Sequence, residues 1–230
     1  DRTFNCDHKH AMEIWRYIYE HDNGVTNFHF EISADILREE EIALLNRFRP
    51  GLAQLEIGVQ STNEQTIREI RRTMRFEEVA RIVQRINQGE NVHQHLDLIA
   101  GLPYEDIESF QKSFDDVYRL HPEQLQLGFL KVLKGSYMES QKERYGLVYK
   151  SRPPYEVLYT KWLSYEEMMQ LKSVEEMVEV YYNSRQFSYC LRKLEEEYAS
   201  PFVLYQGLGR YYENHELHLM SHSRITRYEI

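Results

Sequence analysis

Residues 92–117 read VHQHLDLIAGLPYEDIESFQKSFDDV. From Val92 to Gly101 the stretch reads as a strand, in which successive side chains point to opposite faces, so His93, His95 and Asp97 share one face. After Pro103 the spacing of Ile107, Phe110, Phe114 and Val117 becomes helical. A strand followed at once by an amphipathic helix is a βα unit, and it fixes a fold when it repeats. It repeats here. NFHFEIS (27–33) and LAQLEIGVQS (52–61) read as strands before it, and LQLGFLKVL (125–133) as a strand after it. The intervening helices are expected over 8–21 (Met12, Trp15, Ile18 and Tyr19 inward), over 36–48 (Ile42, Leu45 and Phe48), from a capping box of Thr62 and Gln65 (Ile67, Ile70 and Met74), and over 76–88 (Val79, Val83 and Ile86), where Gly89 stops the last one. Four strands alternating with helices predict a parallel sheet. No dinucleotide fingerprint and no P-loop occurs, which favours a barrel over a doubly wound sheet. The expected fold class is α/β, a partial (βα) TIM-like barrel over residues 1–148.

The composition shifts after about residue 148, where Pro153 and Pro154 punctuate the chain. Residues 149–230 read as a mostly helical extension. It carries a Tyr155, Tyr159 and Trp162 helical stripe and a Ser164–Glu167 capping box. GLGRYYENHELHLM (207–220) reads as a loop or short hairpin inside it. The 230 residues are 42% hydrophobic and carry a net charge of −9. That acidic balance argues against a protein whose main task is gripping nucleic acid. No run reaches the roughly 18 apolar residues of a membrane span, no secretory signal is recognisable, and the two cysteines, Cys6 and Cys190, suit a reducing cytoplasm. Neither can build a four-thiolate site. DRTFN at the start looks like the end of a barrel strand, so the chain is expected to be a piece of a longer protein, self-associating through an open barrel edge.

Three polar residues stand near successive strand ends: Glu31, Gln60 and Asp97. In a fold buried on both faces each needs a partner, and sites in such folds lie at the carboxyl ends of strands. Arg72 follows in the run IRRTMR and is placed to turn back over those ends, whereas Arg68 and Arg71 read as a solvated basic face. His93 and His95 lie deeper on their strand and read as interior polar packing. A metal-dependent barrel hydrolase using them stays open as an alternative, as does a non-catalytic binding barrel. No metal is expected on the pair, because the later strand offers only Lys131 as a further ligand. His8 and His10 read as surface residues.

EIGVQS, an arginine twelve residues after its glutamine, and DLIAGLP beyond resemble the radical S-adenosylmethionine enzymes, in particular the oxygen-independent coproporphyrinogen oxidases and the cobalamin-linked branch. The resemblance covers roughly residues 1–145, and the tail resembles the extension of an uncharacterised branch. It implies an Fe-S oxidoreductase that reductively cleaves S-adenosylmethionine at a 4Fe-4S cluster, yielding a deoxyadenosyl radical that acts on a small-molecule or other unknown substrate. It also implies roles: Glu31 for the ligand's ammonium, Arg72 for its carboxylate, Gln60 and Asp97 for the ribose hydroxyls, and Gly135 and Ser136 of the turn LKGS near the adenine. An upstream cobalamin-binding domain is compatible with it. The family's CxxxCxxC cluster loop does not occur in this sequence. The cluster ligands, and with them catalysis, are therefore expected outside this chain.

Overall fold

The protein is described by a computed structural model covering residues 3–230. Eleven α-helices are assigned along the described chain: α1 His8–Glu20, α2 Glu39–Leu45, α3 Glu64–Glu69, α4 Phe76–Asn87, α5 Ile107–Tyr118, α6 Tyr137–Ser140, α7 Lys142–Tyr145, α8 Tyr165–Met177, α9 Ser188–Glu195, α10 Pro201–Asn214 and α11 Arg224–Glu229. The strands are β1 Phe28–Ile32, β2 Ala53–Gln60, β3 His93–Ala100, β4 Gln124–Phe129, β5 Val148–Tyr149 and β6 Val157–Tyr159. Strands β1 to β4 pair in parallel in their chain order. Parallel strands in sequential order are what successive right-handed βα crossovers produce, with the crossover helices on one face. A doubly wound sheet would reverse its order at a switch point. The arrangement is that of a partial barrel.

The two faces of the sheet differ sharply. Toward the helices point Phe30, Leu55, Ile57, Leu96, Leu98 and Leu125, all buried. One polar side chain interrupts them, Gln94, whose Nε2 donates to Val83 O at 3.1 Å and to Asn87 Oδ1 at 2.5 Å. The opposite, concave face carries His29 and Glu31 of β1, Gln54 and Glu56 of β2, His93, His95 and Asp97 of β3, and Gln124 and Gln126 of β4, most of them half-buried or exposed. The expectation of burial on both faces is corrected here: strict alternation along β1 and β2 marks a sheet with one apolar and one polar side.

The segment from Tyr145 onward closes over β4. A short antiparallel pair, β5–β6, extends the β4 exit through a bridge between Lys131 and Glu156. The amide of Asn183 donates to Leu125 O at 2.9 Å and its Oδ1 accepts from Leu125 N at 3.0 Å, covering the outer edge of β4. Helices α8 and α10 pack on α5 and its neighbours; Phe114, Phe202 and Tyr205 are fully buried in one continuous core. No helix among the described residues is long and apolar enough to cross a membrane.

Several local expectations change. GLGR is not a loop but lies in α10, because its glycines serve close approach: a Cβ on Gly209 would stand 2.4 Å from Ser173 Oγ, and one on Gly207 3.1 Å from the Tyr198 ring. Tyr155, Tyr159 and Trp162 form no helical stripe, since β6 and a loop occupy that stretch; Trp162 packs instead on Tyr104 and Tyr145. Asn63, not Thr62, caps α3, its side chain accepting from Gln65 N at 2.9 Å, while Thr62 Oγ1 donates to Asp116 at 2.9 Å. The Ser164–Glu167 capping box is present. Of the opening DRTFN, Asp1 and Arg2 lie outside the described residues, and Phe4–Cys6 is a turn of 3₁₀ helix. His10 is exposed, but His8 is half-buried, its Nδ1 3.1 Å from the fully buried carboxylate of Glu41.

Candidate functional site

The carboxyl ends of β1, β2 and β3 form the floor of a cavity of about 520 Å³. Its lining includes Glu31, Gly58, Gln60, Arg72 and Asp97. Register explains the convergence. Glu31 is level with Glu56 on β2, and Gly58 is level with Asp97 on β3. Between Gly58 and Gln60 the ladder slips by one residue, and Gln60 takes a left-handed φ of 71°. A β-bulge of this kind re-aims a side chain at a strand end, and a non-glycine residue held there stores strain of order 1–3 kcal/mol. The Gln60 amide folds back across Gly58. A Cβ on residue 58 would stand 2.3 Å from Gln60 Nε2 and 3.4 Å from Arg72 Nη1. The missing side chain of Gly58 is thus what lets the amide and the guanidinium share the strand end.

Arg72 reaches this place through a reversal of the chain after α3. Arg71 has a φ of 61°, and Arg72 N donates back to Ile67 O at 3.0 Å. Arg71, read from the sequence as solvated, instead lies 3.8 Å over the ring of Tyr137 and lines the same cavity. Ser33 and Asp35, joined by a 2.7 Å hydrogen bond, complete the β1 side. The cavity thus mixes carboxylates with two guanidinium groups, a pattern suited to a zwitterion. Gln60 Oε1 and Asp97 Oδ1 are buried without an aligned hydrogen-bond partner. Buried acceptors of that kind fit a ligand that brings its own hydroxyl or N–H donors.

Gly135 and Ser136 stand apart from these residues. They form the turn into α6, where Gly135 N donates to Glu139 at 2.6 Å and Ser136 Oγ accepts from Glu139 N at 3.2 Å; neither lines the cavity. His93 and His95 lie deeper on the polar face. Burial pulls the His93 pKa down. Burial also disfavours the charged form of His95, but Asp97, Glu56 and Gln126 outweigh it and leave its pKa raised. His95 Nε2 lies 3.0 Å from Asp97 Oδ1, near enough for an ion pair but out of line for a hydrogen bond.

Behind the site, Glu105 is fully buried and accepts from Ser61 Oγ at 2.5 Å and Ser113 Oγ at 2.9 Å. Ser61 directly follows Gln60, so this acid anchors the turn that carries the glutamine. Sequence reasoning missed Arg71, Ser33, Asp35 and Glu105. The glycine in EIGVQS was the available signal for the cradle at the end of β2; nothing local marked Glu105.

Different known proteins match this chain. The oxygen-independent coproporphyrinogen-III oxidase-like protein HemZ of Bacillus subtilis is 30% identical over 111 residues, covering 48% of this chain and 22% of that protein. The fold superposes on the radical S-adenosylmethionine methyltransferase TsrM of Kitasatospora setae, a structure with cobalamin and a 4Fe-4S cluster bound. The TM-score is 0.52 at 17% identity, over 65% of this chain and 28% of that one. The chain thus shares its fold with a radical S-adenosylmethionine methyltransferase and is similar in sequence to part of a coproporphyrinogen-III oxidase-like protein. It spans less than a third of the length of either relative. Residues 143–230 match the family described as "Protein of unknown function (DUF4080)".

Proposed function

We propose that this chain supplies the S-adenosylmethionine-binding strand ends of a radical S-adenosylmethionine iron–sulfur enzyme. The observation that carries the reading is the convergence of Glu31, Gln60, Arg72 and Asp97 on one cavity, where Gln60 Oε1 has no aligned hydrogen-bond partner and Asp97 Oδ1 meets His95 Nε2 out of line at 3.0 Å. Glu31 takes the ligand's ammonium. Arg72 pairs with its carboxylate as a charge-assisted hydrogen bond. Gln60 Oε1 and Asp97 Oδ1 accept from the ribose hydroxyls. When bound, a 4Fe-4S cluster supplies the electron for reductive cleavage of S-adenosylmethionine. Cys6 and Cys190 are both exposed and unpaired, too few for that cluster, so its thiolates belong to residues beyond this chain. The concave polar face below the cavity is where a small-molecule substrate would lie, and residues 149–230 act as the wall beside β4. Cobalamin, as bound by the methyltransferase relative, is compatible with the intact protein, whose site of action is the cytoplasm.

The test is calorimetric titration of S-adenosylmethionine into intact, cluster-reconstituted protein and its Arg72→Ala and Asp97→Ala variants. Loss of a charged hydrogen bond costs about 1.5–3 kcal/mol, so Arg72→Ala is expected to raise Kd roughly ten- to a hundredfold, and Asp97→Ala by as much or less. If both variants bind as tightly as the parent, the assignment of these residues is wrong.

A further inference from the structure

On the polar face of the sheet, beside the cavity and reaching the level of Glu31, side chains from three adjacent strands converge. His29 of β1, Glu56 of β2 and His95 of β3 each present one ligand-type atom, all within 4.8 Å of one another. We infer that these three residues form a binding site for a first-row divalent transition-metal ion.

The register builds the cluster. Glu56 is level with His95, and its neighbour Gln54 is level with His29 on the other side, so a parallel sheet brings the three side chains out on the same face. Two imidazoles and one carboxylate form a donor set that suits zinc, iron, nickel or copper and does not suit calcium or magnesium, which prefer all-oxygen shells. Around a tetrahedral ion, with bonds of about 2.1 Å, ligand atoms stand roughly 3.4 Å apart. His29 Nε2 and Glu56 Oε2 are already 2.9 Å apart. The side chains of His29 and Glu56 are 47% and 31% exposed, so both can rotate to close the remaining gap.

A second observation is independent of the clustering. His95 is 5% exposed; its Nε2 meets Asp97 Oδ1 out of line at 3.0 Å, and its Nδ1 has no aligned hydrogen-bond partner. A buried imidazole left this way is costly, and such groups ordinarily have a partner in protein, water or an ion. The Asp97 carboxylate at the edge of the ring is placed as the orienting group that metal-bound histidines commonly have. Three protein ligands leave open positions on the ion, which makes the site one that takes a water or a substrate atom and not a closed structural site.

His93 is not among the three ligands, although it shares the strand and the face of His95. The cavity lined by Glu31, Gln60, Arg72 and Asp97 likewise includes none of the three. Asp97 borders both sites, but no ligand of the metal lines that cavity, so zinc binding is read on the chain without S-adenosylmethionine and its failure is distinguishable from failure of that reading.

The test uses the 230-residue chain, stripped with a chelator and titrated with zinc(II) against a chromophoric competitor. One equivalent per chain is expected to bind with micromolar or tighter affinity. His29→Gln and Glu56→Gln should each weaken it by at least about tenfold, a loss of the size seen for disturbed metal shells. His93→Gln, and His218→Gln in the 3₁₀ turn Leu217–Leu219 between α10 and α11, should change it less than about threefold, well under one tenfold step in free energy. His29 lies on the open face, so its variant keeps the fold, which circular dichroism checks. Cobalt(II) absorption gives a second reading of coordination and should disappear with Glu56→Gln. Binding weaker than the competitor can detect would overturn the inference. So would binding that survives both His29→Gln and Glu56→Gln, or binding that is lost with His93→Gln or His218→Gln.

Discussion

Glu105→Gln separates the charge of a buried acid from its shape. The Glu105 carboxyl is fully buried, takes hydroxyl hydrogen bonds on one oxygen and leaves Oε2 without a partner. Burial pushes its pKa from 4.5 up to about 7, against the pull of Ser61 and Ser113, and the charge of Asp106 adds to the rise. Between these two values the folded protein holds a proton that the unfolded chain has released, so stability falls as pH rises through this window and is fully retained below it. Ionising a carboxyl held near 7 instead of 4.5 costs about 3 kcal/mol, each pKa unit being worth about 1.4 kcal/mol. Glutamine keeps an acceptor for Ser61 and Ser113 and cannot ionise. Its amide N–H groups meet the place where Oε2 found no partner, a penalty of about 1–3 kcal/mol that does not depend on pH. The stability difference between variant and parent, from urea denaturation, should therefore move by about 3 kcal/mol in the variant's favour between about pH 4 and pH 8.5. Near pH 8.5 the variant should be at least as stable as the parent. A difference that stays constant to within about 0.5 kcal/mol across that range would refute the claim that burial governs this acid.

Gly58→Ala drives a Cβ into the Gln60 amide, the far end of a flexible side chain. S-adenosylmethionine affinity of the intact reconstituted protein should fall by about tenfold or more, the worth of one displaced hydrogen bond, while thermal stability is nearly unchanged; equal affinity would show that Gln60 does not need its present pose. Gly209→Ala places a Cβ 2.4 Å from Ser173 Oγ between α8 and α10, and should cost about 1–3 kcal/mol of overpacking, a drop in Tm of at least about 2 °C. An unchanged Tm would mean that the helices part without penalty. The outer edge of β1 pairs with no strand among the described residues, whereas Asn183 covers that of β4. The isolated 230-residue chain is accordingly expected to self-associate, and light scattering that returns a monomer at tens of micromolar would end that expectation.

The repeating change from strand to helix period was legible because each βα unit buries an apolar stripe against the same sheet. Phe110, Phe114 and Val117 on α5, and Val79, Val83 and Ile86 on α4, are buried as their spacing predicts. What was not legible depends on partners distant in sequence. Gly207 and Gly209 look like turn residues until Tyr198 and Ser173 are seen against them. Thr62 looks like a cap until Asp116, 54 residues away, is found to accept its hydroxyl hydrogen bond. His8 looks exposed until the buried Glu41 is found beside it. In each case local pattern named a residue type correctly and a tertiary contact decided its use.

The site divides along the same line. Glu31, Gln60 and Asp97 could be placed at strand ends because strand boundaries follow from alternation, and Arg72 because it lies at a fixed distance after the glutamine. Their convergence on one cavity depends on the bulge at Gly58–Gln60 and on the left-handed turn at Arg71, neither of which a period count contains. The His29, Glu56 and His95 cluster was further out of reach. Each of these residues sits alone in its own strand, spaced 27 and 39 positions apart, and only the register of β1 against β2 and of β2 against β3 makes them neighbours. His93 and His95, the pair that sequence proximity suggested, lie on the same face, yet a single strand sets residues two apart at nearly 7 Å, too far for one ion without help. In a parallel sheet, chemistry is assembled across strands at the 4.8 Å spacing between them, so a run within one strand is a poor guide to what surrounds a ligand, and the level shared by several strands is a better one.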